Sequence, residues 1–276
     1  MHRLCVVVLL AMSKANCQAQ DKLGGEAQRL YEQARTQGRA FAQAEKLQPE
    51  VWPTSDGRSF LVVYRASKAP TRWIASLHGA GKPARGFATD DLVAWSPHLR
   101  GRDVGIICLQ WWKGTGDRTE DFLRPEEVYR ELDVALARVK AKEGECLLHG
   151  FSRGSTNTFA VMALDHGRGK KYFSLAVAHS GGVALDYPPT RRLLAGDYGE
   201  SPLKGTRWIT VAGGKDPNAE RDGIAGMRRT AQWLKEQGAE VKLSIEDTKY
   251  GHGALHLNPG NAKRVLDLFL NETKGK

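Results

Sequence analysis

One serine near the middle of the 276-residue chain is flanked by glycines two positions away on either side. The segment is Gly-Phe-Ser-Arg-Gly at residues 150–154. It follows a short apolar run at 146–149 and precedes residues 155–164, which are rich in small and apolar side chains. A strand, a sharp turn and a helix would hold the Ser152 hydroxyl clear of the sheet, at the positive end of the helix, and the glycines would leave room for the turn. The segment therefore predicts a nucleophilic serine.

A serine hydroxyl is a poor nucleophile at neutral pH, so it needs a base, and the base usually needs an acid that fixes its tautomer. In chains with this turn the order is serine, then aspartate or glutamate, then histidine, in loops that follow later strands. Asp216, in Lys-Asp-Pro, and His252, in Gly-His-Gly, occupy two such loops. We predict that Ser152 is the nucleophile, His252 the general base and Asp216 the orienting carboxylate.

Other residues compete for these two supporting roles. His256 would be the base if the last loop were longer than the pattern indicates. Asp222 and Asp247 are alternative acids, although Asp222 lies farther into its loop and Asp247 follows a different strand. The remaining histidines near predicted strands are expected to pack in the core or to shape their loops; they are His78, His149 and His179.

Attack on an acyl carbon creates an oxyanion, which needs hydrogen-bond donors already in place. One donor is expected to be the backbone N–H of Arg153, the residue after the serine. The other is expected from the His-Gly-Ala-Gly turn at 78–81, at Ala80, because glycines permit a close approach of the backbone. The same turn lacks the third glycine of a dinucleotide fingerprint and is followed by Pro83, which excludes that kind of site.

Two tryptophans follow a short apolar run at 104–109 that is typical of a buried parallel strand. Ligands of open parallel sheets bind at the carboxyl ends of the strands. We therefore expect Trp111 and Trp112 to line a substrate pocket, with core packing as the alternative for one of them.

Apolar strand patterns alternate with helical patterns along most of the chain. The predicted strands are 59–65, 73–77, 104–109, 146–149, 174–178, 207–212 and 240–245, and the predicted helices are 26–47, 125–142, 155–164, 224–237 and 261–270. Such alternation predicts an α/β fold with a doubly wound, mostly parallel sheet flanked by helices. We predict a helical extension at 20–57 and one catalytic domain at 58–276, with a short insertion at 181–205.

The first residues differ from the rest of the chain. His2 and Arg3 precede nine apolar residues at 4–12, followed by small and polar residues. This pattern predicts a signal peptide at 1–19, cleaved after Ala19, and the apolar run is too short to span a bilayer. Acylation of Cys17, as in a lipoprotein, is the alternative. Either pattern predicts a secreted or periplasmic protein.

The composition narrows the class of protein further. A hydrophobic content of 41% is enough for a sizeable core, and the net charge of +10 is scattered rather than clustered, so no nucleic-acid partner is indicated. Cys108 and Cys146 lie on predicted buried strands and are expected to be packed thiols, although an oxidising compartment would permit a bridge. No spacing typical of metal ligands occurs.

From about residue 59 onward, these motifs resemble the α/β-hydrolases, and more narrowly the polyhydroxybutyrate-depolymerase-type esterases, which include feruloyl and acetylxylan esterases. The resemblance is carried by residues 78–81, 150–154, 215–217 and 251–253. It implies hydrolysis of small or polymer-linked carboxylic esters through an acyl-enzyme on Ser152, without a cofactor. Two alternatives remain: a peptidase of the prolyl-oligopeptidase type, whose N-terminal propeller has no counterpart here, and a non-catalytic binding protein with this fold.

Overall fold

The computed structural model describes residues 22–80 and 86–272, so the predicted signal peptide, Cys17 and Gly81 lie outside the described residues. One eight-stranded sheet forms the centre of the molecule. The strands are β1 (Glu50–Pro53), β2 (Phe60–Arg65), β3 (Arg72–Leu77), β4 (Val104–Leu109), β5 (Cys146–Phe151), β6 (Phe173–His179), β7 (Arg207–Gly213) and β8 (Glu240–Asp247).

The strand order is β1-β2-β4-β3-β5-β6-β7-β8. β1 pairs antiparallel with β2, and β2 pairs antiparallel with β4, whereas every other neighbouring pair is parallel. The predicted mostly parallel sheet is therefore confirmed. The carboxyl ends of β3, β5, β6, β7 and β8 meet at one edge, and the loops that follow them carry the residues of the candidate site.

Continuous apolar sequence explains the central strands. All six residues of β4 are buried, as expected for a parallel strand covered on both faces. Cys108 on β4 and Cys146 on β5 are free thiols and both are buried. Burial raises the pKa of both thiols, so they behave as small apolar residues of the core.

Nine α-helices accompany the sheet in the described parts of the chain. They are α1 (Gly25–Gln37), α2 (Phe41–Glu45), α3 (Ala88–Leu99), α4 (Pro125–Arg138), α5 (Arg153–Arg168), α6 (Pro188–Leu194), α7 (Ile224–Glu236), α8 (Ala254–Leu257) and α9 (Pro259–Glu272). Among residues 22–80 and 86–272, no helix combines the length and apolar character that crossing a membrane requires.

The N-terminal region differs from the sequence-based prediction. The helix expected at 26–47 is divided into α1 and α2 around Gly38, where a Cβ atom would lie 2.4 Å from the Ala34 carbonyl oxygen. Residues 50–53, which are not among the predicted strands, form strand β1. Proline is tolerated there because β1 is an edge strand.

Candidate active site

Ser152 occupies the sharp turn between β5 and α5. Its backbone angles are φ +53° and ψ −118°, a conformation that costs a non-glycine residue on the order of 1–3 kcal/mol. The Ser152 N–H donates to the carbonyl oxygen of His179 at 2.8 Å, which ties the turn to the end of β6. The strain and the anchor together hold the serine in one position.

The two glycines of the motif permit this close packing. A Cβ atom on Gly150 would lie 2.4 Å from the Gly154 carbonyl oxygen, and one on Gly154 would lie 2.1 Å from the Leu77 carbonyl oxygen. Real Cβ atoms essentially never approach an atom so closely. The turn therefore requires glycine at both positions.

Replacing Gly154 by alanine should lower the free energy of unfolding by about 1–3 kcal/mol or more, because either β3 or α5 must shift. Gly24→Ala is the matched control, since a Cβ atom there meets nothing within 4 Å. That control should stay within about 0.5–1 kcal/mol of the unchanged protein. Urea denaturation of the three proteins measures both effects, and equal stability of all three would show that the turn does not need glycine.

Asp216 and His252 meet at the ends of β7 and β8. His252 Nδ1 lies 2.7 Å from Asp216 Oδ2, and the Asp216 side chain is fully buried. Asp216 Oδ1 accepts a hydrogen bond from the Asn218 N–H at 2.9 Å, which fixes the carboxylate plane. A carboxylate at Nδ1 keeps the hydrogen on that nitrogen and leaves Nε2 free to accept a proton. The His252 side chain is about 33% exposed, so it borders the solvent-filled site.

Two cavities adjoin Ser152. A cavity of about 460 Å³ is lined by His252, Ser152, Phe151 and the 78–80 turn, with Asp90 and Asp91 on the α3 side. A second cavity, of about 350 Å³, is lined by Arg153, Thr119 and Tyr187 among others. Ser152 and Ala80 border both. The structure thus brings the predicted serine and histidine to one cavity and leaves space on either side of the serine.

The expected oxyanion donors also lie at this junction. Arg153 is the first residue of α5, so its N–H has no partner within the helix. A Cβ atom on Gly79 would lie 3.3 Å from Ser152 Cβ, which shows how closely the turn before Ala80 passes the serine. His78 shapes this turn: its Nδ1 donates to the Gly79 carbonyl oxygen at 2.8 Å. Burial lowers the pKa of His78 to about 4, so the ring is neutral.

The competing carboxylates have other partners. Asp222 lies near Asp216 and His252, but both of its oxygens accept hydrogen bonds from Arg221, at 2.7 and 2.8 Å. Asp247 accepts from Asn258 at 2.6 Å and Asn261 at 2.8 Å, and so holds the loop after β8. Of the three carboxylates, Asp216 is the one hydrogen-bonded to His252 Nδ1.

His256 is half-buried, packs against Phe151 in a cluster of histidines, and does not line either cavity at Ser152. The cluster comprises His149, His179 and His256, whose rings are 4.8–5.8 Å apart between centroids. Burial lowers the pKa of all three, that of His256 to about 3. The three imidazoles are therefore neutral, and His256 cannot exchange protons with a substrate from this position.

The ring nitrogens of these three histidines lie close enough together to hold a metal ion. However, His149 Nδ1 accepts from the Trp95 indole N–H at 3.2 Å, and His179 Nε2 accepts from the Leu255 N–H at 3.2 Å. His149 Nδ1 also lies 2.8 Å from Ser76 Oγ, which donates to Asp91. These nitrogens therefore already have hydrogen-bond partners within the protein.

The low pKa of His256 predicts how the stability of the protein changes at acid pH. The pKa of His256 is about 3 in the folded protein and has its ordinary value of 6.5 in the unfolded chain. Between about pH 6.5 and 3, unfolding therefore lets His256 take up a proton. As the pH falls through that window, the stability that neutral His256 contributes is lost. His256→Gln should be less stable than the unchanged protein at pH 7. The difference should shrink by up to about 1.4 kcal/mol per pH unit on acidification to pH 4.5. Urea denaturation at several pH values measures this, and a difference independent of pH would contradict it.

The two tryptophans predicted to line a substrate pocket lie away from Ser152, and both border a separate cavity of about 240 Å³. Neither Trp111 nor Trp112 is among the residues lining the two cavities at Ser152; both are buried. Trp111 packs against Phe122, with ring centroids 4.5 Å apart, and its Nε1 donates to the His78 carbonyl oxygen at 2.9 Å. The Trp111 indole thus supports the 78–80 turn through this hydrogen bond.

Several cavity residues were not found from the sequence. Thr119 lies in the connection before α4, and Ala184, Asp186, Tyr187 and Pro188 come from the predicted insertion. No sequence motif marks these residues, and they lie near Ser152 only because of the way their loops fold. The insertion forms one wall of the second cavity, with α6 behind it.

No family model and no curated protein sequence matches this chain. Solved structures do match. An esterase/lipase from an uncultured bacterium has a TM-score of 0.60 at 14% identity, over 88% of this chain and 89% of that chain. The hyperthermophilic esterase from the archaeon Pyrobaculum calidifontis has a TM-score of 0.60 at 13% identity, over 88% and 92%. The phospholipase/carboxylesterase from Dyadobacter fermentans has a TM-score of 0.52 at 15% identity, over 76% and 95%. At such identities the likeness shows the fold, which is the predicted α/β-hydrolase fold.

Proposed function

We propose that the protein is an exported serine hydrolase that cleaves carboxylic esters through an acyl-enzyme formed on Ser152. One observation carries this proposal. A strained serine faces the same cavity as His252, whose Nδ1 is hydrogen-bonded to a buried carboxylate. The solved structures of this fold named above are those of an esterase/lipase, an esterase and a phospholipase/carboxylesterase, which is consistent with the chemistry inferred from the residues.

The proposed reaction begins when His252 Nε2 accepts the hydroxyl proton of Ser152 while Oγ attacks the ester carbonyl carbon. The imidazolium that forms is stabilised by the Asp216 carboxylate, which is buried and therefore weakly screened. His252 then donates the proton to the leaving alkoxide, and the acyl group stays on Ser152. A water molecule, deprotonated by the same imidazole, releases the acid and restores the serine.

A negative charge develops on the ester carbonyl oxygen in the transition state. It is stabilised by hydrogen-bond donors that are already in position. The backbone N–H of Arg153 and that of Ala80 are the proposed pair, since both residues border the cavities at Ser152. Each such donor is worth about 3 kcal/mol of transition-state stabilisation in comparable sites. The hydrogen bonds of His78 and Trp111 support the second donor by fixing the path of the turn.

The substrates we propose are small or polymer-linked esters, of feruloyl, acetylxylan or polyhydroxyalkanoate type. Two cavities of about 460 and 350 Å³ on either side of Ser152 provide separate space for an acyl group and an alcohol group. Export is proposed from the pattern of residues 1–19, and N-terminal sequencing of the exported protein should then begin at Gln20.

The proposal is tested with a panel of 4-nitrophenyl acyl esters of increasing chain length, together with methyl ferulate and an aminoacyl-proline anilide. We expect turnover of the esters, with a chain-length limit set by the cavity, and none of the anilide. Cleavage of the anilide without cleavage of any ester would favour the peptidase alternative. A folded protein that turns over neither class would favour a binding protein.

A further inference from the structure

The side chain of Arg153 is a cation beside the nucleophile. Its guanidinium stacks on the ring of Phe122, with Cζ 4.6 Å from the ring centroid, and it lines the same 350 Å³ cavity as Ser152. Among the described residues, no carboxylate lies within ion-pair distance of it. Its Nη1 is buried and has no hydrogen-bond partner within residues 22–80 and 86–272. A buried donor without a partner is costly, so the arginine is not held there by its own hydrogen bonds at that nitrogen.

The acidic side chains of this cavity gather around a different arginine. Arg221 makes two hydrogen bonds to Asp222, and the nearby charges of Asp216 and Asp186 also raise the pKa of Arg221. Asp222 is therefore paired with Arg221, and Asp216 is hydrogen-bonded to His252. Burial raises the pKa of Tyr187, another wall residue of the cavity, to about 12, and the nearby charge of Arg153 opposes that rise.

Arg153 also lies at a helix position where a positive charge is unfavourable. It is the first residue of the 16-residue helix α5, whose first turn contains no acidic residue. The N-terminus of a helix carries a partial positive charge, so a cation there is unfavourable. An arginine at this place adds to the positive potential beside Ser152 and does not stabilise the helix.

We propose that Arg153 is a specificity residue that binds a carboxylate of the substrate, so that the preferred esters carry a negative charge on their acyl or alcohol part. The inference rests on the ester hydrolysis proposed above. The carboxylate would occupy the second cavity and accept hydrogen bonds from the guanidinium, which borders that cavity beside Ser152. Arginine suits this role because its planar donors match the two oxygens of a carboxylate.

Two matched pairs of esters test the proposal and show which side of the ester carries the charge. For the acyl side, mono-4-nitrophenyl adipate is compared with 4-nitrophenyl hexanoate. For the alcohol side, 4-acetoxybenzoate is compared with 4-acetoxybenzamide. The quantity measured is the ratio of kcat/KM for the anionic ester to that for the neutral ester. A ratio cancels any loss common to both, including an effect on the Arg153 backbone N–H.

We expect a ratio above one for at least one pair in the unchanged protein, and a fall of roughly ten- to a hundredfold in Arg153→Gln. Arg153→Lys should retain part of the preference, because it keeps the charge without the planar fork. Arg35→Gln removes the same charge from an exposed arginine on α1 and should leave the ratio unchanged.

No anionic preference in either pair would overturn the inference, as would a preference that survives in Arg153→Gln. A loss in Arg153→Gln that is equal for both members of each pair would also overturn it, since that result indicates a purely structural role. These outcomes are distinct from failure of the proposed function, in which the unchanged protein and Ser152→Ala would hydrolyse the neutral esters equally.

Discussion

Replacing Ser152 by alanine should lower kcat/KM for 4-nitrophenyl esters by about 10⁴-fold or more, while the fold is retained. The expected loss is this large because the acyl-enzyme cannot form without the hydroxyl, and only binding and the oxyanion donors remain. Steady-state hydrolysis by the purified proteins measures it. Alanine adopts the same strained backbone conformation as serine at this turn, so stability should change little.

Two further variants serve as controls for this result. Ser174→Ala removes a hydroxyl near the start of β6, at the opposite edge of the sheet, and should keep full activity. Ser152→Gly should be as inactive as Ser152→Ala but more stable, by about 1 kcal/mol, because glycine adopts these backbone angles without strain. Activity of Ser152→Ala equal to that of Ser174→Ala would contradict the assignment of the nucleophile.

Replacing Asp216 by asparagine should lower kcat by about 10⁴-fold. The amide nitrogen of asparagine would donate to His252 Nδ1, which forces the ring hydrogen onto Nε2 and removes the lone pair that accepts the serine proton. The loss of the carboxylate also leaves the imidazolium of the transition state without its partner, now 2.7 Å away. Hydrolysis rates at a pH above neutrality measure the effect.

Asp222→Asn is the matched control for Asp216→Asn, because it lies in the same loop and close to His252. Its carboxylate is bound by Arg221, so we expect a loss of less than about tenfold. If the Asp222 variant lost more activity than the Asp216 variant, the orienting acid would be Asp222 instead.

The sequence alone was sufficient for the parts of the fold that follow from local patterns. The continuous apolar run at 104–109 became β4 with the same bounds, and the alternation of strands and helices predicted the mostly parallel sheet. The site residues could be proposed because chain order assigns Asp216 and His252 to loops at one edge of such a sheet. The structure brings them within hydrogen-bond distance of one another, at the cavity that Ser152 borders.

Other features depend on tertiary contacts that a sequence pattern does not contain. Trp111 follows a strand as a pocket residue would, but its side chain is buried and its indole N–H donates to the His78 carbonyl oxygen. Helix α3 was not predicted, and Pro97 lies inside it. The role inferred for the Arg153 side chain depends on which charges surround it, and the structure pairs Asp222 with Arg221 and Asp216 with His252.

The central claim is that Ser152 is an activated nucleophile, and covalent labelling with a fluorophosphonate tests it most directly. The folded protein and Ser152→Ala would each be incubated with the probe, digested with trypsin and analysed by mass spectrometry. We predict one stoichiometric adduct in the unchanged protein, on the peptide of residues 143–153, and none in the variant. No adduct on the folded protein, or an adduct that persists in Ser152→Ala, would contradict the claim.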